Sequence, residues 1–178
     1  PDSSVNTNAA IGKAVESNNW AEVAGQMRLS QNPIISNIGR LAEGLKGVNT
    51  EINPRVLSSN PRAVAGWSPQ TNKIYFKNPK YARSDAIVAH ETVHALTYFA
   101  IHNPTAAQKP AVRRLDNLFR YVKDKMGKRG RGVYGLTNLD EFIAEANSDA
   151  DFQRELAKIP YQNKTAWGAF TKIVADLH

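Results

Sequence analysis

Residues 90–94 read His90-Glu91-Thr92-Val93-His94, inside an apolar stretch that Ser84 opens as an N-cap and Asp85 continues in the first turn. This pattern predicts a helix running from Ser84 to about Ile101 and stopped by Asn103-Pro104. On such a helix His90 and His94 lie one turn apart on the same face. Two imidazoles so placed can grip one Zn²⁺ at about 2.0–2.1 Å each. Glu91 can lean toward a water on that metal and accept its proton, since zinc lowers the pKa of bound water to about 7. With 4 His and eight Glu in 178 residues, the pattern arises by chance at a rate of roughly 0.4%. The bland alternative is two core histidines beside a solvated glutamate. The metal reading demands a fold that carries a further ligand to this helix.

The chain has no cysteine, so disulfides, thiolate metal sites and a cysteine nucleophile are excluded together. Beyond the motif, the histidines are His102 and His178. A metzincin extension would need Gly at 97 and His at 100, where Thr97 and Ala100 stand. His102, near the helix end, reads as a surface or capping residue. A carboxylate is the remaining source of the third ligand, and Glu141 and Glu145 sit one turn apart on a helix expected from Asn138 to about Ala146. Phe142, Ile143 and Ala146 would pack that helix inward. Glu141 has a competing role in a capping box with Asn138. Glu145 reads as an outer acceptor for an imidazole N–H, or as a solvated glutamate.

The length suits one domain with a sizeable core, and no run approaches a membrane span. The chain opens on Pro1-Asp2-Ser3-Ser4, with neither Met nor a signal peptide, which suits an excised or processed part of something longer, whether secreted, delivered or virion-carried. Residues 1–50 read as a helical lead-in: Ala9–Glu16, Trp20–Leu29 and Ile34–Leu45 carry helical apolar spacing, cut by Asn18-Asn19 and Asn32-Pro33. Residues 51–178 read as the catalytic part. Pro54, Pro61 and Pro69 punctuate its start, and runs at 63–67 and 73–77 form a hairpin around residues 68–72. That hairpin either covers the core or offers an edge to an extended peptide. Further helices are expected over Thr105–Met126, near Asp149–Ala157 and over Lys164–Leu177, with a loop at residues 127–132. The expected class is α+β, mostly helical, with a small sheet beside the motif helix.

From His90 onward the chain resembles the gluzincin family of the anthrax lethal factor catalytic domain. The residues that carry the likeness are His90-Glu91-Thr92-Val93-His94, Tyr134-Gly135-Leu136-Thr137-Asn138 and Glu141-Phe142-Ile143-Ala144-Glu145-Ala146, with Pro160, Trp167, Phe170 and Ile173 similar in layout. The resemblance implies a zincin-like fold with one Zn²⁺ held by His90, His94 and Glu141. It further implies Glu91 as general base, Tyr134 donating to the developing oxyanion, and Glu145 supporting the site. Related domains occur within large phage and mobile-element polypeptides. The likeness fades before residue 63, and it carries no substrate identity. Tyr134 also has a rationale of its own, because a phenol aimed at a tetrahedral intermediate is worth about 2.7–4 kcal/mol. Its alternative is an aromatic plug beside the glycine-rich loop.

The net charge of +7 is unevenly spread: zero over residues 1–50, +3 over 51–100 and +4 over 101–178. Nine basic residues fall between Lys109 and Arg131, against Asp116 and Asp124. A solvated helix face running into a loop accounts for them. An acidic peptide substrate or a nucleic-acid contact are the sharper readings, though few aromatics interleave the charges for base stacking. The expected function is zinc-dependent hydrolysis of a protein or peptide substrate. The alternative is a catalytically silent zincin-like module that docks an acidic partner or nucleic acid through its basic face.

Overall fold

Asparagine starts five of the helices. In a computed structural model, which describes residues 8–53 and 55–177, the side chains of Asn8, Asn19, Asn32, Asn78 and Asn138 each accept an N–H in the first turn that follows. Each meets a donor that the helix cannot satisfy internally, an effect worth about 1 kcal/mol. Pro1–Ser4, Pro54 and His178, singled out in the sequence, lie outside the described residues.

The described chain divides into two compact units at Leu96/Thr97. In the first, helices α1 (Ala9–Glu16), α2 (Trp20–Arg28) and α3 (Pro33–Ala42) precede the sheet. The expected break at Asn32-Pro33 is present, but Pro33 lies inside α3, at its first turn, where a missing N–H costs nothing. Helices α2 and α3 touch backbone to backbone at Gly39. A Cβ there would overlap the Arg28 backbone nitrogen. The Trp20 indole donates to the Ala42 carbonyl at 3.1 Å and closes the other end of this pair.

Strands β1 (Asn49–Ile52), β2 (Ala65–Ser68) and β3 (Lys73–Phe76) form a mixed sheet in the order β1-β3-β2. The predicted hairpin is real, with Ala65 opposite Phe76 and Ser68 opposite Lys73. Strand β1 was not expected. It runs parallel to β3 from Asn49↔Lys73 to Ile52↔Phe76, which makes β3 central and buries Ile74 and Phe76 completely. Thr50 pins β1 onto α1, its hydroxyl donating to the Val15 carbonyl at 2.7 Å. After the short α4 (Pro79–Ala82) comes α5 (Asp85–His102), which carries the motif and continues into the second unit.

The second unit holds α6 (Lys109–Met126), α7 (Leu139–Ser148), α8 (Ala150–Ala157) and α9 (Ala166–Leu177). Helix α6 begins four residues later than Thr105. Thr105 and Gln108 exchange the reciprocal hydrogen bonds of a capping box in the preceding turn. The loop at 127–132 contains a 3₁₀ turn over Gly127–Gly130, and Gly127 breaks α6 at φ +50°. A two-residue ladder, β4 (Pro160–Tyr161) with β5 (Lys164–Thr165), delays α9 to Ala166. The core of this unit centres on the fully buried Phe142 of α7. Its ring meets Phe119, Phe152 and Phe170 at centroid separations of 5.4, 5.8 and 5.8 Å, the last two edge-on. Each such pair adds about 0.5–1.5 kcal/mol beyond simple burial, so α7 is held from α6, α8 and α9 at once. The whole is a mostly helical α+β chain with a small mixed sheet.

Candidate metal centre

Helix α5 starts as predicted: the Ser84 hydroxyl oxygen accepts the Ile87 N–H at 3.2 Å. Burial pushes the Asp85 carboxyl above its ordinary value, against the opposing pull of the Ala86 N–H. Val88, Ala89, Thr92 and Val93 are buried, and the Thr92 hydroxyl donates to the Val88 carbonyl at 2.6 Å. The helix therefore has apolar sides that fix its rotation. His90 and Glu91, 9% and 7% exposed, are buried along with them.

His90 and His94 stand with ring centroids 5.0 Å apart and planes at 73°. Their Nε2 atoms are 3.2 Å apart. Two nitrogens at that separation, each about 2.0–2.1 Å from a common ion, subtend about 99–106° there, close to the tetrahedral angle. Glu141 completes the group: one carboxylate oxygen and the two histidine nitrogens all lie within 4.8 Å of one another. Two imidazoles and a carboxylate can hold a metal ion, and this donor set is one used by catalytic zinc, leaving a position for water or substrate.

Glu141 reaches this place because Asn138 caps α7 through the Glu141 backbone N–H, at 2.9 Å. The amide of Glu141 serves the cap, and its carboxylate lies with the two histidines. Glu145, one turn on, is not part of the group. It lines a groove of about 470 Å³ together with Tyr134, Met126, Val133 and Phe152. Tyr134 opens a 3₁₀ turn, Tyr134–Leu136, and is 57% exposed. The turn lies close against α7 because residue 135 is glycine: a Cβ there would stand 2.8 Å from the Phe152 ring and 3.1 Å from the Glu145 Cβ.

One partnership had no sequence signal. His102, read as a surface or capping residue, places its Nε2 2.8 and 3.0 Å from the two carboxylate oxygens of Asp140. The Tyr98 ring lies against the same imidazole, centroids 4.3 Å apart.

Among the basic residues of 109–131, Arg114 pairs with Asp176 and Arg120 with Asp116, while Lys123 and Lys125 lie over the rings of Phe119 and Tyr121. Lys109, Arg113, Lys128, Arg129 and Arg131 are exposed. Among the described residues no helix is long and apolar enough to cross a membrane. Comparisons with protein-family models, with curated proteins and with solved structures find no match to this chain.

Proposed function

We propose that the chain is a zinc-dependent endopeptidase of the gluzincin type, related to the lethal-factor catalytic domain. The observation that supports this most is the approach of Glu141 to the paired histidines, with Glu91 buried one residue from His90. The donor set of two imidazoles and one carboxylate suits zinc over hard cations, which prefer all-oxygen surroundings. His90, His94 and Glu141 would hold the ion. When bound, it would polarise the scissile carbonyl and lower the pKa of the attacking water.

The remaining chemistry belongs to the chain. Glu91 takes a proton from the water as the new C–O bond forms, and returns it to the amine nitrogen as the C–N bond breaks. Tyr134 donates its hydroxyl hydrogen to the carbonyl oxygen while negative charge gathers there. Glu145 lines the groove beside Tyr134 and supports that side of the site. The substrate is a protein or peptide.

Glu91→Gln keeps the shape and removes the proton acceptor. Its turnover of a peptide library should fall by about 10²–10⁴-fold with zinc content unchanged. Undiminished cleavage by this variant would contradict the proposal.

A further inference from the structure

We infer that His102 and Asp140 are positioning residues, a carboxylate–imidazole clasp that sets where Glu141 points. The inference rests on the metallopeptidase reading of the same site. His102 occupies the last turn of α5, the helix that carries His90 and His94. Asp140 occupies the first turn of α7, immediately before Glu141. Their contact is two-pronged, 2.8 and 3.0 Å, and the imidazole meets only carboxylate oxygens in it. Nε2 must therefore carry the hydrogen and donate. Tyr98, one turn earlier on α5, holds the ring from the side.

Successive helical residues point about 100° apart, so Asp140, Glu141 and Phe142 splay in three directions from one turn. Phe142 goes into the aromatic core, Asp140 to the end of α5, and Glu141 to the two histidines. The first and second of these fix the direction of the third. The clasp adds a hold on the first turn of α7, beside Glu141, to those of the aromatic core face and the Asn138 cap. A ligand whose own turn can rock by a small angle spends less time within reach of the ion. Outer partners that orient metal ligands are typically worth about 10–100-fold in metal affinity. Asp140 acts one residue removed from the ligand, which places its effect near the lower figure.

The two side chains are partly exposed, 46% for His102 and 22% for Asp140, so truncating either opens no buried void. The test is Zn²⁺ affinity by competition with a chromophoric chelator, with the Co²⁺-substituted absorption spectrum as a second readout. The unmodified protein is compared with Asp140→Ala, His102→Ala, His102→Gln, the double alanine variant and Glu141→Ala. Each single alanine variant should weaken Zn²⁺ about tenfold and alter the Co²⁺ spectrum. The double variant should be no weaker than either single one, as expected of two groups that act as a unit. His102→Gln, whose amide can still donate to Asp140, should recover most of the affinity. A clasp that only stabilises the fold would lower the melting temperature of both alanine variants and leave affinity and spectrum as they were; that result overturns the inference. Glu141→Ala separates the two levels. If it loses zinc while the clasp variants do not, the inference alone fails. If Glu141→Ala binds zinc as tightly as the unmodified protein, the metallopeptidase reading fails and takes the inference with it.

Discussion

The Nε2 atoms of His90 and His94 stand 3.2 Å apart across one turn of α5. At that distance two lone pairs repel, and two N–H hydrogens clash. The arrangement is at ease only with one shared proton or with a cation between the rings. Glu141 adds a carboxylate and a third donor to the same small space, a set that could hold a metal ion. His90 and Glu91 are buried on a helix that also buries Val88, Ala89, Thr92 and Val93.

Gly135 is a tight steric constraint beside the groove. Gly135→Ala would drive a methyl into the Phe152 ring at 2.8 Å. The expected cost is about 1–3 kcal/mol of stability, from overpacking. Denaturant unfolding should show a lower midpoint at an unchanged slope. Because the Tyr134 turn must move to make room, turnover by the folded variant should fall as well. An unaltered midpoint would mean that the turn is not packed as described.

Asn138 should matter to stability through its side-chain oxygen alone. Asn138→Ala leaves the Glu141 N–H without its 2.9 Å acceptor. Metal-free protein should lose about 0.5–2 kcal/mol, and Asn138→Ser, which still accepts, should lose only a few tenths. Equal losses in urea titrations of the two variants would show that the cap contributes nothing.

Asp85 gives a pH dependence with a defined sign. Its folded-state pKa is raised above the ordinary 3.8 by burial, so folded protein holds this proton more tightly than unfolded chain does. The stabilisation it gives is complete below 3.8 and is lost as pH rises through the raised folded value. Asp85→Asn cannot ionise. It should match the unmodified protein in unfolding free energy below pH 3.8 and exceed it at about pH 7. A variant less stable at neutral pH would show that the ionised carboxylate gains more at the helix start than burial costs it.

Local signals were readable in the sequence, and long-range ones were not. Helix α1 spans Ala9–Glu16 as its apolar spacing predicts, since its cap, its face and its stop are all contained within it. Ser84 and the apolar run after it disclosed α5 for the same reason. Strand β1 stayed hidden because Asn49, Thr50 and Glu51 are polar, and it becomes a strand only by pairing in parallel with residues from Lys73 onward. Glu141 and Glu145 share a helix face, so spacing alone did not rank them; the resemblance pointed to Glu141, and the fold places Glu141 with the histidines and Glu145 on the groove. The His102–Asp140 contact joins residues 38 apart, and nothing local to either predicts it.

The most direct test is the metal itself. Purified protein equilibrated with zinc and dialysed should retain one ion per chain. X-ray absorption or anomalous diffraction should then find two imidazole nitrogens from His90 and His94 and an oxygen from Glu141 in its coordination shell. Protein that retains no zinc, or retains it with Glu141 outside the shell, would contradict the central claim.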